Sequence, residues 1–304
     1  MNKLSEVILI RPKNFGFNHQ TASSNSFQND SEFSENHRSL AIAEFDSMVN
    51  EMLNVGLNVH VIEDTAHPIK PDAIFPNNWI STHPDGTVVL YPMSAENRRL
   101  ERRLDLISTL KKNFIVERVI DLSSFEIENV FLEGTGSIVF DHTNHLAYAC
   151  RSSRTDVDAL RILCHKIGYH PIVFDAITSD RMPIYHTNVM MSVGKYFVAI
   201  CLESIPNVQE RNHVLETICR SSKEVIDLSY SQLNSFAGNM LELLFANGKS
   251  ILLVSKTAYD SFTFDQMNRL SIHARILPIS IPTIEYFGGG SVRCMVLENF
   301  LIRR

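Results

Sequence analysis

The sequence predicts an α/β protein in which short strands and helices alternate along the chain. Short apolar runs typical of strands outnumber amphipathic helical segments by about two to one. Both kinds of segment recur from one end to the other, and no linker divides the 304 residues. The order is not the regular strand-helix series of a Rossmann fold. We therefore expect one domain over residues 1–304.

The chain begins with a predicted strand, a polar segment and a helix. The strand covers Glu6–Arg11. Residues 14–37 are rich in Ser and Asn but also carry four phenylalanines, which favours a long loop or lid that docks on the protein. Residues 39–54 have apolar side chains at helical spacing, and Gly56 suits a helix C-cap.

The remaining candidate elements continue the alternation. Strands are predicted at 58–64, 87–93, 136–141, 146–150, 170–175, 188–193, 196–202, 224–229, 239–245 and 250–255. Helices are predicted at Ala95–Asn113, Thr155–Gly168, Ile205–Ser221 and Phe264–Ala274. Five equal units would each have about 60 residues, enough for a ββαβ module. Sequence identity between segments does not demonstrate such a repeat.

Composition limits the classes of partner. The net charge is −6 and no run of Lys or Arg exceeds two residues, which argues against a nucleic-acid partner. The apolar run Val7–Ile10 is too short for a signal segment or a membrane span, so we expect a cytoplasmic protein without a membrane partner. The sequence is silent on oligomeric state and leaves a homodimer open.

The five cysteines suggest neither a disulfide framework nor a zinc site, because they are odd in number and never spaced as Cys-x-x-Cys. Four of them lie in largely apolar surroundings and are expected to be inert core residues: Cys150, Cys164, Cys201 and Cys219. Cys294 differs because it follows the glycine triplet of "GGGSVRCM". This closeness to a glycine-rich turn makes it a candidate reactive thiol.

Three further segments place polar residues inside apolar, strand-like surroundings. They are "DAIFPNNWI" with Asn77 and Asn78, "VFLEGTGSIVF" with Glu133, and "YHTNVMM" with His186 and Asn188. Each has an ordinary structural interpretation: a turn, a hairpin corner with an exposed glutamate, or a hydrogen-bonded structural histidine. Together with Cys294 they are the parts of a thiol acyl-transfer site.

Each residue type has a separate task in such a site. A thiolate is the nucleophile, and a histidine can protonate a departing nitrogen and then activate water. A carboxylate can hold the histidine or orient a substrate nitrogen, and glycines let the backbone approach the reacting centre. No second His or Cys lies at ligand spacing from His186, so no metal or other cofactor is predicted.

At these segments the chain resembles the guanidino-group-modifying enzymes, which include arginine deiminases, dimethylarginine dimethylaminohydrolases and amidinotransferases. The resemblance implies the pentein fold, a five-bladed α/β propeller with pseudo-fivefold symmetry. It implies Cys294 as nucleophile, His186 as general acid and base, and Glu133 as a carboxylate contacting substrate nitrogen or the histidine. Arg154, in "CRSSRTD", resembles an arginine that binds the substrate α-carboxylate, a role suited to bidentate pairing.

The chain departs from this family at two positions. Asn78 and Asn188 stand where arginine deiminases have aspartates that bind a guanidinium. A guanidinium only donates hydrogen bonds and is charged, so replacing two carboxylates by amides weakens its binding by roughly 1–4 kcal/mol. A ureido group is neutral and has both donors and an acceptor, as an amide has. The two asparagines therefore indicate a ureido substrate, with drift in a degenerate arginine enzyme as the alternative explanation.

A narrower resemblance agrees with this interpretation. "FPNNW", "LEGTGS" and "HTNVMM" are similar to the citrulline-utilisation hydrolase branch, which implies conversion of citrulline to ornithine. Asn77, Asn78, Asn188 and Arg154 would then bind an amino-acid substrate. Three alternatives stay open: an arginine or dimethylarginine hydrolase, an amidinotransferase, and a small-molecule-binding regulatory protein on the same scaffold.

Overall fold

The computed structural model describes residues 6–29, 32–245 and 247–304. Its strands are β1 (Glu6–Arg11), β2 (Asn58–Glu63), β3 (Ile80–Thr82), β4 (Thr87–Leu90), β5 (Phe114–Ile115), β6 (Arg118–Asp121), β7 (Val139–Asp141), β8 (Leu146–Cys150), β9 (His170–Phe174), β10 (Met191–Val193), β11 (Phe197–Ile200), β12 (Glu224–Asp227), β13 (Leu241–Leu244), β14 (Ser250–Ser255), β15 (Arg275–Ile279), β16 (Leu297–Asn299) and β17 (Ile302–Arg303).

The helices range from single turns to five turns. They are α1 (Glu35–Asn54), α2 (Glu96–Arg99), α3 (Leu104–Asn113), α4 (Gly134–Ser137), α5 (Val157–Ile167), α6 (Thr187–Met190), α7 (Val208–Arg220), α8 (Tyr230–Asn234), α9 (Lys256–Ser261), α10 (Phe264–His273) and α11 (Pro282–Gly288). Short 3₁₀ turns occur at Pro76–Asn78, Ser123–Glu128, Leu202–Ser204 and Val292–Met295.

Five three-stranded sheets in the described residues share one connectivity. Their strand orders are β16-β1-β2, β3-β4-β6, β7-β8-β9, β10-β11-β12 and β13-β14-β15, and we call these sheets with their helices modules 1 to 5. In each module the first strand is antiparallel to the second, and the second is parallel to the third. One or two helices lie in the crossover connection of each parallel pair, which is the usual way of joining parallel strands. This is the ββαβ order considered from the sequence.

The chain divides into two compact units. The first contains modules 1 and 2 and comprises the described residues up to Thr135 together with Ile281–Gly290 and Cys294–Arg304. The second contains modules 3 to 5 and comprises Gly136–Ser280 and Ser291–Arg293, apart from residue 246. The strands of each module belong to a single unit.

A hydrophobic core joins modules 1 and 2 within the first unit. Ile8 of β1, Leu297 of β16 and the side chains of α3 pack around Trp79, which is 1% exposed. Burying a side chain of this size stabilises the fold by about 2–3 kcal/mol. Because Trp79 directly follows Asn77 and Asn78, its burial also fixes the position of that turn.

The structure differs from the sequence prediction at several elements. The predicted helix Ala95–Asn113 is two helices, α2 and α3, because the backbone is extended at Arg103, the N-cap of α3; in the same break the Arg102 side chain pairs with Glu126. The predicted strands at 136–141 and 188–193 each begin with a helical turn, α4 and α6. The helix predicted to start at 205 begins at Val208, after its Asn207 cap. Nine elements were not predicted from the sequence: β3, β5, β6, β15, β16, β17, α8, α9 and α11.

No helix among the residues described is both long enough and apolar enough to cross a membrane.

Candidate active site

The candidate residues occupy equivalent places in the modules. All but one lie in the segments that connect the third strand of one module to the first strand of the next, which we call the connecting segments. They are Asn77, Asn78, Glu133, His186, Asn188 and Cys294. Arg154 lies instead between β8 and α5. The repeated fold therefore places most of the predicted site residues in equivalent connecting segments.

The Asn77–Asn78 turn lies in the first unit and is buried. Asn77 is 0% exposed, and neither its amide nitrogen nor its amide oxygen has a hydrogen-bond partner among the described residues. The Asn78 Oδ1 accepts a hydrogen bond from Arg98 at 2.8 Å, whereas its Nδ2 is buried without a partner in the same part of the chain. Buried amide groups normally have partners, so these are the groups expected to bind a ligand.

Arg98 lies at the centre of a buried charged cluster in the same unit. Its Nε and Nη2 donate to the two carboxylate oxygens of Glu101 at 2.9 and 3.0 Å. Asp72 approaches its Nε at 3.6 Å. Burial alone would lower the pKa of Arg98, but the carboxylates of Glu101 and Asp72 raise it above its ordinary value. Arg98 therefore remains charged. It was not among the site residues predicted from the sequence.

Glu133 is fully buried beside the asparagine turn, which excludes the interpretation as an exposed hairpin glutamate. Its Oε1 accepts a hydrogen bond from the Ser94 backbone N–H at 3.0 Å. The following Gly134 has a φ of 48°, and a Cβ there would lie 2.3 Å from the Asn77 carbonyl oxygen. Thr135 donates from its hydroxyl to the same oxygen at 3.3 Å. Glycine at 134 thus allows two connecting segments of the first unit to touch.

The glycine triplet before Cys294 has a packing reason that the sequence did not reveal. A Cβ on Gly288 or Gly290 would lie 2.8 or 3.0 Å from the Phe75 ring. Gly289 has a φ of 61° and caps α11, and its carbonyl oxygen accepts a hydrogen bond from the Asn25 Nδ2 at 3.2 Å. The triplet is therefore required by Phe75 and by the segment around Asn25. Cys294 itself is buried.

The predicted loop before α1 packs on this region of the first unit, as its phenylalanines suggested. Phe15 contacts Gly288, and Asn18 donates from Nδ2 to Asp72 at 2.7 Å. The Gln28 Nε2 donates to the Phe287 carbonyl oxygen at 3.3 Å. Residues 30 and 31 of this segment lie outside the described residues.

The second unit brings together His186 and Arg154 through Tyr185. The Tyr185 and His186 rings are 4.6 Å apart, and the Arg154 guanidinium lies 4.9 Å from the Tyr185 ring. The Arg154 carbonyl oxygen accepts from the Ser137 hydroxyl at 2.8 Å. His186 forms the N-cap of α6 and is buried. The helical turn α6 separates His186 from β10, whereas the sequence predicted that a strand begins at residue 188.

Asn188 also lies in the second unit and is held by a residue that the sequence analysis did not single out. Asn239 is fully buried and donates from Nδ2 to the Asn188 carbonyl oxygen at 2.8 Å. Its Oδ1 accepts from the Arg293 backbone N–H at 3.0 Å. The signal in the sequence was the Gly-Asn pair just before β13, which is similar to the Asn-Asn pair just before β3.

The other cysteines divide by burial. Burial raises the pKa of the Cys150 thiol to about 11 and those of Cys164 and Cys201 to about 12, which fits inert core residues. Cys219 is exposed, so its prediction as a core residue was wrong; it lies on the outer side of α7. Among the described residues, no group of three or more His, Cys, Asp or Glu side chains could hold a metal ion.

Comparison with known proteins identifies the family. The model for "N,N dimethylarginine dimethylhydrolase, eukaryotic" matches residues 11–301. A comparison with curated protein sequences finds no match.

Solved structures show the fold. The N-terminal domain of ArgZ, an arginine dihydrolase of Cyanobacteria, was solved with bound substrate; it is 14% identical, with a TM-score of 0.75 and 97% of both chains covered. The chain spans 40% of full-length ArgZ. Unliganded AgrE is 16% identical, with a TM-score of 0.75, 97% of this chain covered and 39% of AgrE.

A third neighbour agrees with the family model. A dimethylarginine dimethylaminohydrolase adduct with S-methyl-L-thiocitrulline is 13% identical, with a TM-score of 0.66, 98% of this chain covered and 100% of that chain. These neighbours have the mixed α/β pentein fold. Because the family model matches nearly the whole sequence, the chain belongs to the dimethylarginine dimethylhydrolase family of guanidino-group-modifying enzymes, hydrolases of non-peptide C–N bonds.

Proposed function

We propose that this hydrolase acts on the ureido group of citrulline and releases ornithine, carbon dioxide and ammonia. The observation that carries the proposal is the pair of buried carboxamides at Asn77 and Asn78. Three of their four amide atoms have no hydrogen-bond partner among the described residues. A neutral group with donors and an acceptor satisfies such amides without placing a cation against them.

The proposed reaction begins with attack of the Cys294 thiolate on the ureido carbon. His186 protonates the departing amine, so that a C–N bond breaks as a C–S bond forms. Water deprotonated by His186 then attacks the covalent adduct and restores the thiol. The carbamic acid that results from the two steps breaks down to carbon dioxide and the remaining amine, which is ammonia if ornithine leaves first and ornithine if ammonia leaves first. Either nitrogen can leave first in this scheme.

The remaining candidate residues bind and orient the substrate in this proposal. Asn78 and Asn188 supply hydrogen bonds to the ureido group, and Glu133 contacts a substrate nitrogen or His186. Arg154 binds the α-carboxylate, with its guanidinium held against Tyr185. We also propose that the five modules close into a five-bladed propeller and form one catalytic domain over residues 1–304.

The neighbours are compatible with a ureido substrate. ArgZ is described as an arginine dihydrolase, and hydrolysing a guanidino group twice passes through a ureido group because the first step replaces one nitrogen by oxygen. A hydrolase of arginine or dimethylarginine is the second candidate. The buried carboxylates of Asp72 and Glu133 favour it, since they could balance a cationic substrate.

Turnover assays separate these candidates. The purified protein is incubated with citrulline, arginine and dimethylarginine, and ornithine, citrulline and ammonia are measured. We expect ornithine from citrulline, and no product from the Cys294→Ala variant. Efficient formation of citrulline from arginine or dimethylarginine, without ornithine from citrulline, would overturn the proposal in favour of the second candidate.

A further inference from the structure

We propose that Arg98 is a positioning residue that sets which face of the Asn78 carboxamide meets the substrate, and thereby selects a neutral substrate over a cationic one. This inference rests on the proposed function, because it concerns the same site. It goes beyond that function in naming the residue that determines the selectivity.

The contact between the two side chains fixes the orientation of the amide. A guanidinium has five N–H donors and no acceptor. The atom of Asn78 that faces Arg98 must therefore be the oxygen, and it accepts from Nη1 at 2.8 Å. Turning the amide over would place a donor against a donor. The Nδ2 group is thus the part of Asn78 left for a ligand, and it is buried without a partner among the described residues.

Arg98 is itself held too firmly to follow a reoriented amide. Two of its nitrogens bind both oxygens of Glu101, and Nη2 also donates to the Phe75 carbonyl oxygen at 3.3 Å. Its side chain is 3% exposed. A buried bidentate pair of this kind leaves the guanidinium of Arg98 only one orientation. The orientation of the Asn78 amide is therefore built into the protein before any ligand binds.

The fixed orientation has a consequence for the substrate. An N–H donor can bind the carbonyl oxygen of a ureido group, whereas a guanidinium offers only further donors. An aspartate at position 78 would keep one oxygen on Arg98 and present the other as an acceptor. The Arg98–Asn78 pair thus makes position 78 a donor, which opposes a guanidino group and favours a ureido group.

Binding measurements on a full-length Cys294→Ser protein test this without requiring turnover. The dissociation constants of citrulline and arginine are measured by calorimetry, and their ratio is the readout. In an Arg98→Gln, Glu101→Gln double variant, residue 98 can accept as well as donate, so the amide can turn. We expect the preference for citrulline over arginine to fall at least fivefold, while Arg98→Lys, which still only donates, retains it.

Two variants serve as matched controls. Glu101→Gln removes the ion pair but keeps the guanidinium on Asn78, and Arg102→Gln removes a neighbouring arginine whose Nη2 pairs instead with Glu126 at 2.8 Å. Both are expected to leave the ratio within twofold. A folded double variant with an unchanged ratio would overturn the inference.

A spectroscopic measurement covers the case in which the double variant does not fold. In ¹⁵N-labelled Cys294→Ser protein, the side-chain NH₂ signals of Asn78 are assigned by their loss in Asn78→Asp. Citrulline should shift them as the group becomes a donor to the ligand, and signals that stay in place at saturation would contradict the inference. If the wild-type protein does not turn over citrulline but these signals and ratios behave as expected, only the proposed function fails.

Discussion

At the scale of single residues, Gly134 combines an unusual backbone conformation with a close contact in the first unit. We expect Gly134→Ala to lower the free energy of unfolding by at least about 3 kcal/mol, because the left-handed φ costs about 1–2 kcal/mol and the Cβ meets backbone. Gly168→Ala is the control, since Gly168 has a φ of 74° with nothing within 4 Å of its Cβ position. Denaturant unfolding measures both variants; equal losses would contradict the steric argument.

The cysteines provide a chemical prediction at the same scale. At pH 7.5 we expect iodoacetamide to label the exposed Cys219 and to leave Cys150, Cys164 and Cys201 unlabelled, because burial keeps those three as thiols. Under the proposed function Cys294 is also labelled, and saturating citrulline slows its labelling. Peptide mass spectrometry identifies the sites, with Cys294→Ala as the control. Rapid labelling of Cys150 in the folded protein would contradict the prediction.

At the scale of elements, Glu6 at the start of β1 joins several strands of the first unit. Its carboxylate contacts His60 of β2 at 2.6 Å, accepts from Asn299 of β16 at 3.1 Å and accepts from the Nε of Arg303 of β17 at 2.9 Å. Burial alone would raise the pKa of Glu6, but the hydrogen bonds of Arg303 and His60 outweigh it and lower the pKa below 4.5.

This lowered pKa gives a pH-dependent prediction. A carboxyl group with a lower pKa in the folded state stabilises the fold above its unfolded pKa, and this contribution is lost as the pH falls through the folded pKa. We expect Glu6→Gln to cost about 1–2 kcal/mol at pH 7 and progressively less below about pH 4. Glu216→Gln, which breaks an exposed pair with Arg220 on α7, should have little effect at either pH. A loss from Glu6→Gln that is as large at pH 3 as at pH 7 would contradict this account.

Some of the strands and helices could be predicted from the sequence, and others could not. Strands β8 and β14 could be predicted, because four or more buried residues in succession give a long apolar run in the sequence. The three-residue strands β3 and β16 are too short for any period to appear. In the break between α2 and α3, Arg102 pairs with Glu126, and a contact between residues 24 apart leaves no local pattern in the sequence.

Some residues of the candidate site could likewise be predicted from the sequence, and others could not. Reactive residue types beside glycine or before apolar strands, such as Cys294 and Glu133, could be found from local sequence. Arg98 could not, because its role arises from contact with Asn78, 20 residues away. Asn239 depends on Arg293, 54 residues away. Residues that hold the candidate residues in place are visible only once the chain has folded.

At the scale of the whole chain, strand β16 near the C-terminus belongs to the same module as β1 at the start of the chain. β16 pairs with β1 through Ile8 and Leu297, and Thr82 of β3 donates from its hydroxyl to the Glu298 carbonyl oxygen at 2.9 Å. Module 1 is therefore incomplete until the C-terminal segment is present. The connecting segment that carries Cys294 ends in β16, so the pairing of β16 with β1 also determines where that segment ends.

The adjacent residues Leu301 and Ile302 allow a test of whether module 1 depends on the C-terminal segment. Leu301 is fully buried in the core with Trp79, whereas its neighbour Ile302 is 57% exposed. We expect Leu301→Ala to cost about 2–4 kcal/mol because it leaves a cavity in the core of modules 1 and 2. Ile302→Ala should change stability by less than about 0.5 kcal/mol. Hydrogen exchange should locate the loss for Leu301→Ala in β1, β3 and β16. If the two alanine variants were equally stable, the last residues of the chain would not complete module 1 in the way the packing indicates.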